Sequence, residues 1–93
     1  MNVGVMIMDI HVNSTHSLKE KRYFVSSIKE KLKHKFNISL VESDYQDLWQ
    51  KIQFSIAMVS MTKPIIEKTF NQIEDFVIEN YPVQVVSVEK DYF

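Results

Sequence analysis

The chain has 93 residues and a formal net charge of −1, with 45% hydrophobic and 25% charged residues. That balance excludes a disordered chain, and no apolar run reaches the roughly 18 residues a membrane-spanning helix needs. Cysteine is absent, which excludes disulfide frameworks, cysteine-ligated metal and thiol chemistry and suits a reducing compartment.

The length predicts a single domain over residues 1–93. Glycine occurs once and proline twice, so long elements with short connections are expected. Val3 to Val12 is rich in Val, Ile and Met and reads as a strand. It lacks a basic leader, and Asp9 interrupts its apolar run, so no signal peptide is expected. Asn13-Ser14-Thr15-His16 follows as a polar turn. Ser17 and Glu20 have the spacing of a capping box, and Leu18, Val25, Ile28, Leu32 and Phe36 then form one helical stripe. This helix should end near Phe36-Asn37.

A short strand is read from the alternation of Ile38, Leu40 and Glu42 with Ser39, Val41 and Ser43. Ser43 to Gln50 is a polar connection carrying Trp49, a residue that closes a hairpin end or anchors an interface. Ile52, Phe54, Ile56 and Met58 alternate with Gln53, Ser55, Ala57 and Val59 in a long third strand. Thr62 can cap a second helix with Pro64 in its first turn, and Ile66, Phe70, Ile73 and Val77 make its buried stripe. Val83, Val85, Val86 and Val88 form the last strand. The order β-α-β-β-α-β predicts an α+β, ferredoxin-like sandwich. Both helices lie on one face of a four-stranded antiparallel sheet, and the first and third strands are central.

The central strands are apolar on both sides, although a sheet with one wet face should alternate. An apolar open face predicts a homo-oligomer or a protein partner covering it. The candidate interface residues are Met6, Met8, Ile10, Ala57 and Val59, with Trp49. The competing reading is a C-terminal tail, Tyr92 and Phe93, folding over that face.

Charge is unevenly distributed. From Ser17 to Phe36 there are seven basic and two acidic residues, while the rest of the chain has four basic and ten acidic. Arg22, Lys29 and Lys33 align on the helix with Lys19 nearby, a spacing able to meet successive phosphates of RNA or of the ribosome. The plainer reading is the solvated face of an amphipathic helix. RNA-recognition modules of this plan stack bases on aromatics of the first and third strands. Here the first strand has none and the third has Phe54 alone, so RNA would be held by the helix and flanking loops.

Catalytic chemistry is thin, and no enzyme, cofactor or metal site is predicted. Asp9 and His11 share one side of the first strand, His16 follows, and Glu42, Asp44 and Asp47 lie near the middle connection. A solvated strand end and a polar loop describe them better than a proton-transfer or metal site. One glycine permits no phosphate loop or dinucleotide fingerprint, and no glycine elbow surrounds a serine. Acylphosphatases share the plan, but their glycine-rich first loop with its catalytic arginine is Asn13 to His16 here.

Three stretches carry a family resemblance. His16-Ser17-Leu18-Lys19-Glu20-Lys21-Arg22 resembles the opening of the YlxP-like family of small bacterial proteins. Lys35-Phe36-Asn37-Ile38-Ser39 resembles that family's basic-Phe-Asn-Val-Ser segment. Asp47-Leu48-Trp49-Gln50, with Ile56-Ala57-Met58-Val59-Ser60, resembles its Asp-x-Trp-Gln and third-strand segments. Ser55, where the family tends to glycine, and Ile52, in place of a smaller residue, depart from the pattern. The resemblance implies a ferredoxin-like, bacterial, cytoplasmic protein without established activity. It also implies a gene often placed beside translation-initiation and ribosome-maturation genes. The cap explains Ser17 and Glu20. Lys21, close to the apolar stripe, either snorkels out or pairs with a carboxylate such as Asp44 or Asp47.

Overall fold

A computed structural model describes residues 1–13 and 15–93; Ser14 of the polar turn lies outside the described residues. The elements are β1 (Asn2–Val12), α1 (Leu18–Lys35), β2 (Ser39–Asp44), β3 (Lys51–Ser60), α2 (Lys63–Asn80) and β4 (Val83–Tyr92). The sheet is antiparallel in the order β2-β3-β1-β4, so the first and third strands are central as the sequence predicts. This is the ferredoxin-like α+β fold.

Local chemistry sets the helix boundaries. The Ser17 hydroxyl accepts from the Glu20 backbone N–H at 3.2 Å, while the Glu20 carboxylate reaches back to the His16 N–H at 2.9 Å. The capping box forms, with the return bond one residue further out than predicted. Thr62 starts α2 in extended backbone without a side-chain cap bond, and Pro64 sits in the first turn. Its missing N–H costs nothing there.

Val25, Ile28 and Leu32 of α1 and Ile66, Phe70, Ile73 and Val77 of α2 meet one face of the sheet. That face carries Met6, Met8, Ile10 and Val12 of β1 and Ile52, Phe54 and Ile56 of β3. The register locks the phase: Met6 faces Ile56, Met8 faces Phe54 and Ile10 faces Ile52. Met6, Met8 and Ile10 are therefore core residues and not part of the open-face interface that the apolar pattern predicts. β1 is apolar on both sides, so alternation alone does not say which set meets the helices. The opposite set, Val3, Val5 and Ile7, takes the open face beside Val59, Ala57 and Ser55.

The last strand is longer than its valines suggest. It runs to Tyr92, and Phe93 exchanges two backbone bonds with Val3, at 2.8 and 3.1 Å. Tyr92 packs near Phe70, with ring centroids 6.4 Å apart. The chain end thus extends the sheet edge and does not fold across the open face. A bulge opposite Asp9 and Ile10 inserts Val86 as the extra residue, and it is 66% exposed.

The single glycine marks the closest approach of α2 to the sheet. A methyl group at Gly4 would overlap Ile66 Cγ2 and press on the Phe70 ring at 3.1 Å. Both neighbours are fully buried and cannot step aside. Gly4→Ala is expected to destabilise the fold by about 1–3 kcal/mol through overpacking, read as a lower urea midpoint at unchanged slope.

Candidate functional site

Two connections meet at the sheet end where β1 stops: the turn into α1 and the segment from β2 to β3. Backbone bonds set the meeting, with the Val12 N–H on the Gln50 carbonyl at 2.9 Å. The Thr15 hydroxyl, fully buried, donates to the Trp49 carbonyl at 2.7 Å. The Leu48 N–H closes a turn onto the Tyr45 carbonyl at 3.0 Å. Two of the stretches that carry the family resemblance are thereby joined, the one opening α1 and the one around Trp49.

Lys21 is the centre of this junction. It is 1% exposed, on the face of α1 that also buries Val25, Ile28 and Leu32. Its ammonium lies 3.1 Å from Glu42 Oε2 and donates to the Tyr45 carbonyl. Of the two alternatives left by the sequence, pairing wins, but the partner is Glu42, not Asp44 or Asp47. Glu42 is 18% exposed and follows Leu40 on the helix-facing side of β2, whereas Asp44 and Asp47 are exposed. Asp44 instead accepts from the Tyr45 N–H at 2.8 Å. Tyr45 has φ 65°, a left-handed backbone that costs a non-glycine residue about 1–2 kcal/mol. The sequence held the signal for this pair: a carboxylate at a core-facing strand position and a lysine in a core-facing helical stripe.

The seven basic residues of α1 divide by helix flank. Lys21 is buried, Lys31 sits 5.5 Å from the Tyr81 ring centre, and Lys35 sits 4.8 Å from that of Phe76. Ser27, on the same flank as Lys31 and Lys35, shares a 3.0 Å hydrogen bond with the Tyr81 hydroxyl. That flank faces α2. Arg22, Lys29 and Lys33 lie on the opposite flank and line one shallow groove with Val25, Ser26 and Glu30. Among the described residues, none of Lys19, Arg22, Lys29 and Lys33 has a carboxylate within 4.0 Å. The four residues predicted from sequence as phosphate contacts are the four basic residues of α1 with neither a carboxylate nor an aromatic-ring partner among the described residues.

The predicted interface set does not stay together. Met6, Met8 and Ile10 are in the core. Ala57 and Val59 are on the open face, and Val59 is 57% exposed. Trp49 is 54% exposed at the other end of the sheet, where His11 pairs with Lys51. About 25 Å of strand separates Val3 and Val59 from that end.

Asp9 and His11 border a small hollow of about 90 Å3 on the open face with Tyr45, Lys51 and Val86. The Asp9 carboxylate is engaged by Gln53 Nε2 at 2.9 Å and by the Ser87 hydroxyl at 3.3 Å, so it ties β1 to both neighbouring strands. Asp44 and Asp47 are exposed in the connection after β2. Among the described residues no three His, Asp or Glu side chains converge as a metal site. No helix of the described residues is long and apolar enough to cross a membrane.

The family described as "Protein of unknown function (DUF503)" matches residues 3–90. "Uncharacterized protein YlxP" of Bacillus subtilis (strain 168) is 41% identical over 80 residues, covering 86% of each chain. "De novo designed protein Foldit4" superposes with a TM-score of 0.55 at 16% identity, over 100% of this chain and 97% of that one, a likeness of fold alone.

Removing the Lys21 ammonium leaves Glu42 without its countercharge and takes one of two donors from the Tyr45 carbonyl, which keeps the Leu48 N–H. Lys21→Met is expected to cost about 3 kcal/mol in urea denaturation, the lower end of the range because Glu42 keeps some contact with water. Adding Glu42→Leu to Lys21→Met should recover part of the loss. A double variant weaker than the single one would show that the pair does not set the junction's stability.

Proposed function

The chain belongs to the DUF503 family of proteins of unknown function, and from that premise we propose that it acts by binding, not catalysis, on RNA of the cytoplasm, with the ribosome as its setting. The contact is the free flank of α1. The observation that carries the reading is the division of the basic residues. Three serve the fold, and Lys19, Arg22, Lys29 and Lys33 face solvent without a carboxylate partner among the described residues.

At 1.5 Å per residue the charges from Arg22 to Lys33 span about 16 Å, room for several phosphates of one strand. Glu30 lines the same groove and tempers the potential there. Four lysine or arginine contacts to a single strand give a slope of log affinity on log salt of about −3.

Co-sedimentation with ribosomal subunits should show binding at low salt that fades at moderate salt. Arg22→Glu with Lys29→Glu should abolish it while leaving urea stability within about 0.5 kcal/mol. Binding that ignores salt, or survives the double reversal, refutes the electrostatic contact.

A second reading, a homo-oligomer through the open sheet face, rests on a different observation. Val41, Val59 and Val86 are more than half exposed and flank the partly buried Val3, Val5, Ile7 and Ala57. Glu89 and Asp91 border this face along β4, and Lys51 and His11 lie at one end of it. Opposite charges on two borders of one patch suit a two-fold contact between identical copies. Light scattering over a range of concentrations should show a dimer that Val5→Lys converts to monomer. A monomer at every concentration rules it out.

A further inference from the structure

Trp49 is the single tryptophan of the chain, and it is exposed on a backbone that hydrogen bonds hold on both sides. Its own carbonyl is held by a fully buried threonine, and the next carbonyl, Gln50, is held by the last residue of β1. The preceding turn is closed by Leu48 on Tyr45, whose carbonyl also accepts from Lys21. The backbone on both sides of the indole is therefore fixed while half of the residue stays in water. An aromatic surface positioned in advance loses little conformational freedom when a flat partner stacks on it.

The position matters as much as the rigidity. Arg22, the first residue of the free basic flank, directly follows Lys21 in α1. Lys21 is welded to the connection that carries Trp49. The aromatic surface and the start of the line of positive charge thus share one end of the molecule. A basic track beside an aromatic platform is what a single strand of nucleic acid requires: phosphates on the cations, a base on the ring. A duplex hides its base faces and can use only the cations.

We infer that Trp49 is a base-stacking site, and that the RNA bound along the α1 flank is single-stranded where it passes the β2–β3 connection. This rests on the RNA reading above and adds to it the strandedness of the ligand and a recognition residue outside the helix.

The single tryptophan supplies its own probe. Titration with a single-stranded oligouridylate at low salt should quench the indole emission and saturate, with the quench reversed by added salt. Inorganic polyphosphate, which has charge and no bases, should compete for the protein without quenching it. With labelled oligouridylate read by anisotropy, Trp49→Ala should weaken binding about tenfold and Trp49→Phe should restore most of it. Neither variant should change the affinity for polyphosphate itself. Oligonucleotide that binds without quenching, and binds Trp49→Ala as tightly as the parent, overturns the stacking site and leaves the basic flank standing. Failure of both oligouridylate and polyphosphate to bind at low salt overturns the RNA reading and this inference together. An emission shift that follows protein concentration in the absence of RNA would assign the indole to contact with a second copy, and would also overturn it.

Discussion

A buried ammonium organises the working end of this molecule. Lys21 takes a core position in α1 where an aliphatic residue would otherwise pack, and a charge withdrawn from water must be matched or the helix cannot dock. Glu42 supplies the countercharge and the Tyr45 carbonyl a hydrogen-bond acceptor, both from the segment around the end of β2. The first turns of α1 are consequently fixed to the β2–β3 connection. Both parts of the proposed RNA contact hang on that join: the rotation of α1 that aims Arg22, Lys29 and Lys33 outward, and the placement of the connection that carries Trp49 at the helix start.

The same rotation sorts the helix charges into structural and available groups. With Val25, Ile28 and Leu32 against the sheet, Lys31 and Lys35 fall over aromatic rings of the α2 side and contribute to packing there. Among the described residues the opposite flank has no such partner. A surface lysine alone says little, since amphipathic helices need a solvated face. A line of cations, without a carboxylate partner among the described residues, that starts at the same end of the molecule as an exposed, backbone-fixed tryptophan says more.

The open face of the sheet is a separate surface. Its valines sit on the opposite side of the sheet from the helices and centre well away from Trp49. RNA contact and self-association are therefore compatible. A face-to-face dimer would present two basic flanks to one ligand and raise its apparent affinity without any new contact.

Most of the fold was legible in the chain. Period-2 and period-3.6 patterns located six elements, the capping box placed the start of α1, and the order of elements implied the sheet topology. The helical wheel of α1 also picked out the four cations of that helix that have neither a carboxylate nor an aromatic-ring partner among the described residues. Three matters were decided only in three dimensions. Which side of β1 faces the helices was ambiguous, because Val3, Val5 and Ile7 are as apolar as Met6, Met8 and Ile10. The approach of α2 at Gly4 and the register with Phe54 and Ile56 resolve it. The partner of Lys21 was undetermined because strand phase, not closeness to the exposed loop, puts Glu42 opposite the helix. The extent of β4 was underestimated because its last residues carry charges and no apolar run, and pairing with β1 holds them in the sheet. Periodicity is a property of a segment and can be read from it. Facing, pairing and the meeting of distant connections belong to the contacts between segments, and those exist only once the chain has folded.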